Sequence, residues 1–567
     1  MKMKKKSTRK KANPKYIFVV GGVMSGVGKG IASASIGKIL QARGFAVTSI
    51  KIDPYVNVDA GTMNPTEHGE VFVLEDGMEC DQDMGNYERF LDTNLTRANY
   101  MTTGSIYQTV IARERNLGYG GKYVSVVPYI PLEVIDRINT AAKKNEAEIV
   151  IIEIGGTVGE YENILFLEAV RMLQQKHRGD VALVLVSLVP AIGAGGTELK
   201  TKPTQHAVRS LNAAGLHPDI ILGRARVPLD EARKKKLEFM CNLDEGDVIS
   251  APDVGNIYEV PVNFEKEDLS GRILKKLGLE PRQKDLREWK GFVSRIRNAK
   301  GEVRIAIVGK YFGTGDFVLT DSYISVIESI KHAAAAVGRK PVIDWLDAEE
   351  YEKNPKKLQG LSGYHGVIIP GGFGSRGVEG KIRAIQYLRE HKIPYLGLCY
   401  GMQLAVVEFA RHVLGMKGAN TTEIDQKTKY PVIDILPEQK NNLREKNYGA
   451  TMRLGAYPAK LKSGTIARRS YGTEKIIERH RHRYEVNPEH ISALEKGGLV
   501  FSGVSPDRRL MEIMELPEKN HPFFLGTQFH PELTSRPLRP QPLFLAFMKA
   551  AALKKTKNKQ QATKDTR

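Results

Sequence analysis

A cysteine and a distant histidine–glutamate pair have the residue types and local patterns of a nucleophilic catalytic site. Cys399 follows a short apolar run and stands in the glycine-flanked pattern Gly-Leu-Cys-Tyr-Gly at 397–401. This pattern predicts a strand, a tight turn and a helix, which place the thiol at a helix N-terminus, where the thiolate is favoured. His530 and Glu532 are two residues apart, so on an extended segment both side chains point the same way and Glu532 can orient His530. Together they predict acyl transfer through a thioester.

A glycine-rich segment, Pro370–Gly374, follows another apolar run that ends at Ile369. Its backbone N–H groups, together with the N–H of Tyr400, could stabilise the oxyanion that forms when the thiolate attacks a carbonyl. The sequence therefore predicts an oxyanion hole beside Cys399.

A second glycine-rich turn, 21–30, lies near the N-terminus between a predicted strand and a predicted helix. Such a loop can bind a triphosphate through its N–H groups, and Lys29 can reach the terminal phosphates. Gly30 stands where a phosphate loop normally has the Ser or Thr that binds Mg²⁺. A glycine turn with no ligand is the alternative interpretation.

The missing hydroxyl indicates that carboxylates would bind any Mg²⁺ at this site. Glu153 ends an apolar run just before a glycine pair, and Asp81 and Asp83 are the other candidates. Lys51 follows the second predicted strand, at the edge of the sheet where ligands bind. The segment 200–205 combines two lysines with hydrogen-bonding side chains, which suits a second phosphate chain, although an unoccupied loop is equally compatible with it.

Alternating buried-strand and helical patterns predict an α/β protein of two domains, each with a mainly parallel sheet flanked by helices. The 567 residues exceed what one hydrophobic core supports. The alternation restarts at Val303, after a charged segment with little apolar periodicity. We expect a basic tail over residues 1–14, domains over 15–279 and 302–552, a linker over 280–301 and a second basic tail over 553–567.

The net charge of +20 is concentrated at the two ends of the chain. Residues 1–15 hold +8 and residues 553–567 hold +5, so the long middle part holds only +7. This distribution does not predict specific nucleic-acid binding, and no apolar run is long enough to cross a membrane. Three widely spaced cysteines favour reduced thiols and a cytoplasmic protein.

Several motifs resemble known families. The segments PGGFG, GLCYGMQ and QFHPE resemble those of class I glutamine amidotransferases, in the same order. The segments GGVMSGVGKG, KIDPYVNVDAGTMNPTEHGEVFVLEDG, YERF, IEIGGTVGE, KTKPTQH and RHRHRYEV resemble the CTP synthases, whose N-terminal half is a P-loop-type amidoligase domain. The resemblance extends from about residue 15 to residue 550.

This resemblance implies that ATP activates the 4-oxygen of UTP, and that ammonia released at Cys399 passes through a tunnel and displaces phosphate to give CTP. It also implies a set of site residues. It assigns ATP to Gly26, Val27, Gly28, Lys29, Gly30, Ile31 and Asp83; UTP or CTP to Ser25, Glu160, Tyr161, Glu162, Lys200, Thr201, Lys202, Pro203, Thr204, Gln205 and Lys236; phosphate handling to Lys51; glutamine to Gly372, Tyr400, Gly401, Met402, Gln403, Glu423 and Arg483; Mg²⁺ to Asp83 and Glu153; and the tunnel to His68.

The resemblance further implies GTP as an allosteric activator, CTP as a feedback inhibitor and a homotetramer. The chain departs from the family pattern at three places. Glu160 and Tyr161 replace the usual Asp and Ile, Tyr400 replaces the usual Leu, and 442–453, matching the lid over the glutamine site, is short.

Two other functions compete with this interpretation. One is another glutamine-dependent synthetase with a P-loop-type domain, such as a cobyric acid synthase, which aminates a carboxylate. The other is a scaffold or nucleic-acid-binding protein whose basic tails carry its function. The segments KIDPY and KTKPTQH favour UTP over a carboxylate, and the intact Cys399, His530, Glu532 and Lys29 favour an enzyme over a scaffold.

Overall fold

The computed structural model describes residues 13–554 except 193–197, 284, 311–312, 315–316, 319, 437–438 and 440–448. The two predicted basic tails therefore lie almost entirely outside the described residues, and most of the predicted lid, 442–453, does as well. The chain forms two compact units. The first contains the described residues up to Asp59 and then Asn86–Lys290, whereas the second contains Ala60–Gly85 and the residues from Gly291 onward.

The first unit is built on a seven-stranded sheet in which all neighbouring strands are parallel. The predicted βαβ opening is present, because the first strand leads through the glycine turn into a helix and then into the second strand. The spatial order is β7-β6-β5-β1-β4-β2-β3. The strands are β1 (Lys15–Gly22), β2 (Val47–Asp53), β3 (Tyr100–Thr102), β4 (Ile149–Ile154), β5 (Val181–Leu188), β6 (Ile220–Ala225) and β7 (Val248–Pro252).

Helices cover both faces of this sheet, which is why its central strands are apolar over most of their length. The helices are Lys29–Ala42, Asp83–Leu91, Thr103–Arg115, Val126–Lys144, Ile164–Lys176, Lys202–Ala213, Glu231–Cys241, Val260–Lys266, Leu269–Lys276 and Arg287–Arg297, with short 3-10 helices at Arg97–Asn99, Tyr161–Asn163 and Ile257–Glu259.

The second unit contains a nine-stranded sheet with one parallel and one antiparallel half. The parallel half has five strands, among them the predicted runs that begin at Val303, end at Ile369 and precede Cys399. The antiparallel half was not anticipated, because its strands carry many charged residues. In spatial order the sheet runs β9-β8-β10-β11-β16-β15-β14-β12-β13, with β8 (Glu302–Gly309), β9 (Lys340–Asp347), β10 (Gly366–Ile369), β11 (Tyr395–Leu398), β12 (Arg453–Leu461), β13 (Lys475–His482), β14 (Val500–Val504), β15 (Met511–Glu515) and β16 (Phe524–Thr527).

Helices flank this sheet on both sides, and two apolar clusters fill the space between the layers. The helices are Pro65–His68, Ile324–Ala336, Ala348–Lys353, Val378–Glu390, Tyr400–His412, Ile466–Tyr471, Pro488–Lys496 and Pro542–Leu553, with 3-10 helices at Thr320–Tyr323, Pro355–Gly363 and Pro531–Thr534. The remaining short strands of the chain are Phe72–Val73, Glu79–Cys80, Ala191–Ile192, Glu198–Leu199, Gly313–Thr314, Phe317–Val318, Asn420–Thr421, Pro431–Ile435 and Tyr484–Val486.

Residues Ala60–Gly85 fold with the second unit although the sequence around them belongs to the first. The Glu70 carboxylate accepts a hydrogen bond from the Ser325 N–H at 3.2 Å, and the Glu70 N–H donates to the Asp321 carbonyl at 3.0 Å. The Ala456 N–H donates to the Glu75 carbonyl at 2.9 Å. The sequence did not indicate this association, because it depends on pairing with residues far along the chain.

The segment predicted to be a charged linker contains the helix Arg287–Arg297. Its supposed lack of apolar periodicity is wrong, because Trp289, Phe292 and Val293 are buried at helical spacing. The Trp289 indole N–H donates to the Tyr258 carbonyl at 2.8 Å. The chain passes from the first unit to the second within this helix, after Lys290.

Candidate active sites

Cys399 lies in a strained turn between β11 and the helix Tyr400–His412, as the sequence predicted. Its φ is +50° and its ψ is −98°, a backbone conformation that side-chain-bearing residues rarely adopt. The Cys399 N–H donates to the Thr527 carbonyl of β16 at 2.6 Å, and the Gln403 N–H donates to the Cys399 carbonyl at 3.1 Å. The sheet and the helix thus hold the nucleophile on both sides.

His530 and Glu532 form the predicted pair. Nδ1 of His530 is 2.7 Å from Oε1 of Glu532, and the His530 N–H donates to the Arg479 carbonyl at 2.7 Å. Burial lowers the pKa of His530, but the Glu532 carboxylate and Cys399 outweigh this effect and hold the pKa well above its usual value. The structure therefore brings the three residues together, with a histidine that favours the protonated form beside the sulfur.

Gln528, which the sequence analysis gave no role, also contacts the nucleophile. Its Nε2 lies 3.7 Å from Cys399 Sγ, and its Oε1 accepts a hydrogen bond from Gln403 Nε2 at 3.3 Å. The Cys399 thiol lies 3.8 Å from the Arg481 carbonyl. The extended conformation predicted for the QFHPE segment is wrong, because Pro531–Thr534 forms a 3-10 helix, although His530 and Glu532 still meet.

A cavity of about 460 Å³ opens beside Cys399 and His530. One wall comes from the Ala60–Gly85 segment of the same unit. The lining residues are Gly61, Thr62, Met63, Pro65, Glu70, Val71, Ser322, Tyr323, Gly371, Gly372, Phe373, Cys399, Met452, Arg481, Arg483, His530, Glu532 and Leu533.

Two arginines of β13 hold that wall in place. Arg481 Nε donates to Glu79 Oε1 at 2.8 Å, and the buried Arg479 donates to the Val73 carbonyl at 3.0 Å. Arg and His alternate in this strand, and this alternation places both arginines on one face of the sheet. It is a sequence signal for these contacts that went unused.

Most residues that the sequence assigns to glutamine surround a second, narrow cavity next to Cys399. Burial raises the pKa of Glu423, whose carboxylate accepts the Gly374 N–H at 2.6 Å. Arg483 donates to Gln439 at 2.6 Å. Gly401 and Met402 do not line this cavity; they lie in the helix Tyr400–His412 and pack against Ile369 and Gly526. The lining residues are Gly372, Phe373, Cys399, Tyr400, Gln403, Glu423, His482, Arg483 and Tyr484.

Gly371 has room for no side chain. A Cβ added there would lie 2.9 Å from Cε1 of His530 and 3.7 Å from Cβ of Cys399. We predict that Gly371→Ala displaces His530 and lowers kcat for glutamine hydrolysis about 10- to 100-fold, because small displacements of reacting groups are costly. Steady-state glutaminase assays measure this. Gly360→Ala is the control, because a Cβ added at Gly360 meets nothing within 4 Å, and its kcat should be unchanged. Gly374→Ala is unsuitable as a control because Gly374 has a φ of +79°. An unchanged kcat in Gly371→Ala would contradict the prediction.

In the first unit, the glycine turn adopts a conformation suited to a phosphate chain. Gly28, with φ +87°, precedes the helix Lys29–Ala42. The Lys29 ammonium donates to the Gly156 carbonyl at 2.8 Å. A Cβ on Gly26 would meet nothing within 4 Å, so the loop borders open space. Gly30 and Ile31 lie in the first turn of the helix, whose N–H groups point along the helix axis toward the loop.

A cavity of about 440 Å³ adjoins this loop. Arg224 and Asp253, which no sequence motif marked, line it and form an ion pair at 2.9 Å. Ser25, Gly26 and Val27 also line it. The full lining is Met24, Ser25, Gly26, Val27, Leu188, Val189, Pro190, Ala191, Arg224, Ala225, Arg226 and Asp253.

Glu153 is a buried carboxylate at the carboxyl end of β4. It accepts a hydrogen bond from the Lys51 ammonium at 2.9 Å and another from the Tyr87 hydroxyl. Lys51 also lies 3.6 Å from Asp53. Within the described ranges, no three His, Cys, Asp or Glu side chains gather as a metal site. Mg²⁺ that bridges phosphates needs only one or two carboxylates, so Glu153 fits that chemistry.

The other two residues of the metal and tunnel predictions lie in the Ala60–Gly85 segment. Asp83 begins the helix Asp83–Leu91, and its N–H donates to Asp81 Oδ1 at 2.8 Å. His68 is 3.7 Å from Asp81 and does not line the 460 Å³ cavity. Their assigned roles remain predictions.

The residues assigned to UTP or CTP have mixed environments. The Glu160 carboxylate accepts the Thr157 N–H at 2.8 Å, and Thr204 is buried with its hydroxyl 3.0 Å from that of Ser187. Tyr161 is 90% exposed. Of the others, Glu162, Lys202 and Lys236 are exposed, Lys200 pairs with Glu198, Pro203 is half-buried, and Gln205 donates to the buried Thr201 at 3.1 Å.

Comparison with known proteins agrees with the two sites. Residues 15–279 match the model of the CTP synthase N-terminus, and residues 318–550 match that of glutamine amidotransferase class-I. The CTP synthase of Pyrococcus furiosus is 54% identical over 95% of this chain and 98% of its own length. That of Methanococcoides burtonii is 52% identical over 96% of this chain and 99% of its own length. The solved glutaminase domain of Trypanosoma brucei CTPS with bound acivicin is 38% identical, covering 45% of this chain and 96% of its own, with a TM-score of 0.41.

Fold and site together define a glutamine-dependent ligase with a class I amidotransferase domain. The chain belongs to the CTP synthase family. In the described residues, no helix combines the length and apolarity required to cross a membrane.

Proposed function

We propose that this protein converts UTP to CTP, using ATP and the ammonia that it releases from glutamine. The observation that carries the proposal is the assembled Cys399, His530 and Glu532 beside a narrow cavity, in a chain whose other unit presents a phosphate-binding loop.

At the glutaminase site, the Cys399 thiolate attacks the side-chain amide carbon of glutamine. His530 donates a proton to the departing nitrogen, which leaves as ammonia, and a thioester remains. His530 then accepts a proton from the water that hydrolyses the thioester, which yields glutamate. Glu532 holds Nδ1 of His530 at 2.7 Å throughout, so the other ring nitrogen stays directed at the reacting atoms.

At the synthase site, the loop around Gly28 and the Lys29 ammonium bind the phosphates of ATP. The terminal phosphoryl group passes to the 4-oxygen of UTP, and ammonia then displaces phosphate to give CTP. Glu153 would hold Mg²⁺, which would neutralise the charge of the phosphates. Asp83 is the second carboxylate that we propose for Mg²⁺, from the family resemblance.

Regulation and assembly are also proposals. GTP activation and CTP inhibition follow from the family resemblance. A homotetramer also follows from that resemblance. A cytoplasmic location is supported by the three free thiols. Light scattering in the presence of ATP and UTP measures the assembly.

A spectroscopic assay tests the main proposal against amination of a carboxylate. The protein is incubated with ATP, Mg²⁺, glutamine and UTP, and the ultraviolet spectrum is followed. Conversion of a uracil to a cytosine chromophore is the expected result. Glutamate formation and ATP use with an unchanged base spectrum would contradict the proposal.

A further inference from the structure

The glycine-rich loop Pro370–Gly374 is fixed in orientation by side chains from outside it. The Gly374 N–H donates to Glu423 at 2.6 Å. The Gly374 carbonyl accepts from the Tyr400 hydroxyl at 3.1 Å and from the Lys310 ammonium at 3.2 Å. Lys310 also donates to the Phe373 carbonyl.

These contacts hold the peptide unit between Phe373 and Gly374 at both of its polar ends. In a trans peptide the carbonyl and the N–H point in opposite directions. Here the carbonyl is held by Lys310 and the N–H by Glu423. A reversal of this peptide would break both contacts, each of which involves an ionisable group and is therefore stronger than a neutral hydrogen bond.

Two lysines lie near the ring of Tyr400. The ammonium groups of Lys310 and Lys381 are 5.8 and 5.5 Å from the ring centroid. Lys381 is fully buried, and in the described part of the chain its ammonium has no hydrogen-bond acceptor. Burial, and then repulsion from Lys310, lower the pKa of Lys381 to about 7. Attraction to Asp347 and Glu423 opposes this fall, and the Tyr400 ring is a further contact that favours the charged form of Lys381.

The same loop borders the chemistry. Gly371, Gly372 and Phe373 line the cavity beside Cys399 and His530. Their peptide units therefore border the space beside Cys399, and N–H groups directed into that space would stabilise an oxyanion formed there.

We propose that Lys310 and Tyr400 are positioning residues that hold the Pro370–Gly374 loop in the orientation that binds the oxyanion, with Lys381 supporting the Tyr400 ring. Neither side chain needs to touch glutamine for this role. The inference rests on the proposed glutamine hydrolysis at Cys399, and it adds side-chain functions that the sequence analysis did not assign.

The test compares Lys310→Met and Tyr400→Phe with wild type in glutamine hydrolysis and in alkylation of Cys399 by iodoacetamide. Alkylation requires the thiolate but forms no oxyanion. We expect kcat to fall about 10-fold or more in each variant, by partial loss of oxyanion stabilisation, with KM within about twofold and the alkylation rate unchanged. Lys554→Met is the matched control, because Lys554 also donates to two backbone carbonyls and its pKa is likewise lowered by burial to about 8.

An unchanged kcat in Tyr400→Phe would overturn the inference. An alkylation rate that falls as much as kcat would also overturn it, because the effect would then lie in the reactivity of the Cys399 thiol. Tyr400→Phe removes only the hydroxyl, so it remains decisive if Lys310→Met fails to fold. A wild-type protein that hydrolyses no glutamine would instead contradict the proposed function, so the two failures are distinguishable.

Discussion

Replacing Cys399 with alanine is expected to abolish CTP formation from glutamine, by about a thousand-fold or more, while CTP formation from added ammonium chloride continues. Cys399 belongs to the second unit, whereas the glycine-rich loop 21–30 and Glu153 belong to the first. Loss of the thiol removes the ammonia source and leaves the acceptor chemistry intact. Paired initial rates with the two nitrogen donors measure this effect.

Cys241→Ala is the matched control for that substitution. Cys241 is also buried, and burial raises the pKa of its thiol to about 11, so it is protonated and inert at neutral pH. Both nitrogen donors should support full activity in this control. A folded Cys399→Ala variant that had lost the ammonia-dependent reaction as well would contradict the division into two sites.

Replacing Lys29 with alanine is expected to impair CTP formation from both nitrogen donors while glutamine hydrolysis continues. The buried Lys29 ammonium lies at the start of the helix that follows the glycine turn, where it can reach the terminal phosphates of ATP. Its loss should lower CTP formation from both nitrogen donors by about 100-fold or more, because phosphate-binding cations stabilise the charge that develops during phosphoryl transfer. Glutamine hydrolysis measured without nucleotides should remain.

Lys38→Met controls for loss of a lysine from the same helix. Lys38 lies 5.1 Å from the centroid of the Trp289 ring, away from the glycine turn, and removal of its charge should leave both synthesis rates near wild type. Normal CTP synthesis by a Lys29→Ala variant would show that this loop does not bind the phosphates of ATP.

The sequence predicted that Cys399, His530 and Glu532 come together, as the structure shows, because their signals are local. The turn at Cys399 is specified by its flanking glycines, and the spacing of His530 and Glu532 places both on one side of a short segment. The strands around Val150 and Val367 were equally predictable, since a strand covered on both faces must be apolar throughout.

Features that depend on distant pairing were missed. The association of Ala60–Gly85 with the second unit depends on Arg479 and Arg481, some 400 residues away in the sequence. Lysines usually lie on the surface, and only the folded chain shows that Lys310 and Lys381 are buried beside Tyr400. No periodic pattern marks a charged side chain whose stabilising partner lies elsewhere in the chain.

The central claim is that nitrogen released at Cys399 becomes the amino group of CTP. Incubation with ATP, Mg²⁺, UTP and glutamine labelled with ¹⁵N in its side-chain amide tests it most directly, with mass spectrometry of the nucleotides and of glutamate. We predict labelled CTP formed in equal amount to glutamate. Accumulation of glutamate with unlabelled, unchanged UTP would contradict the claim.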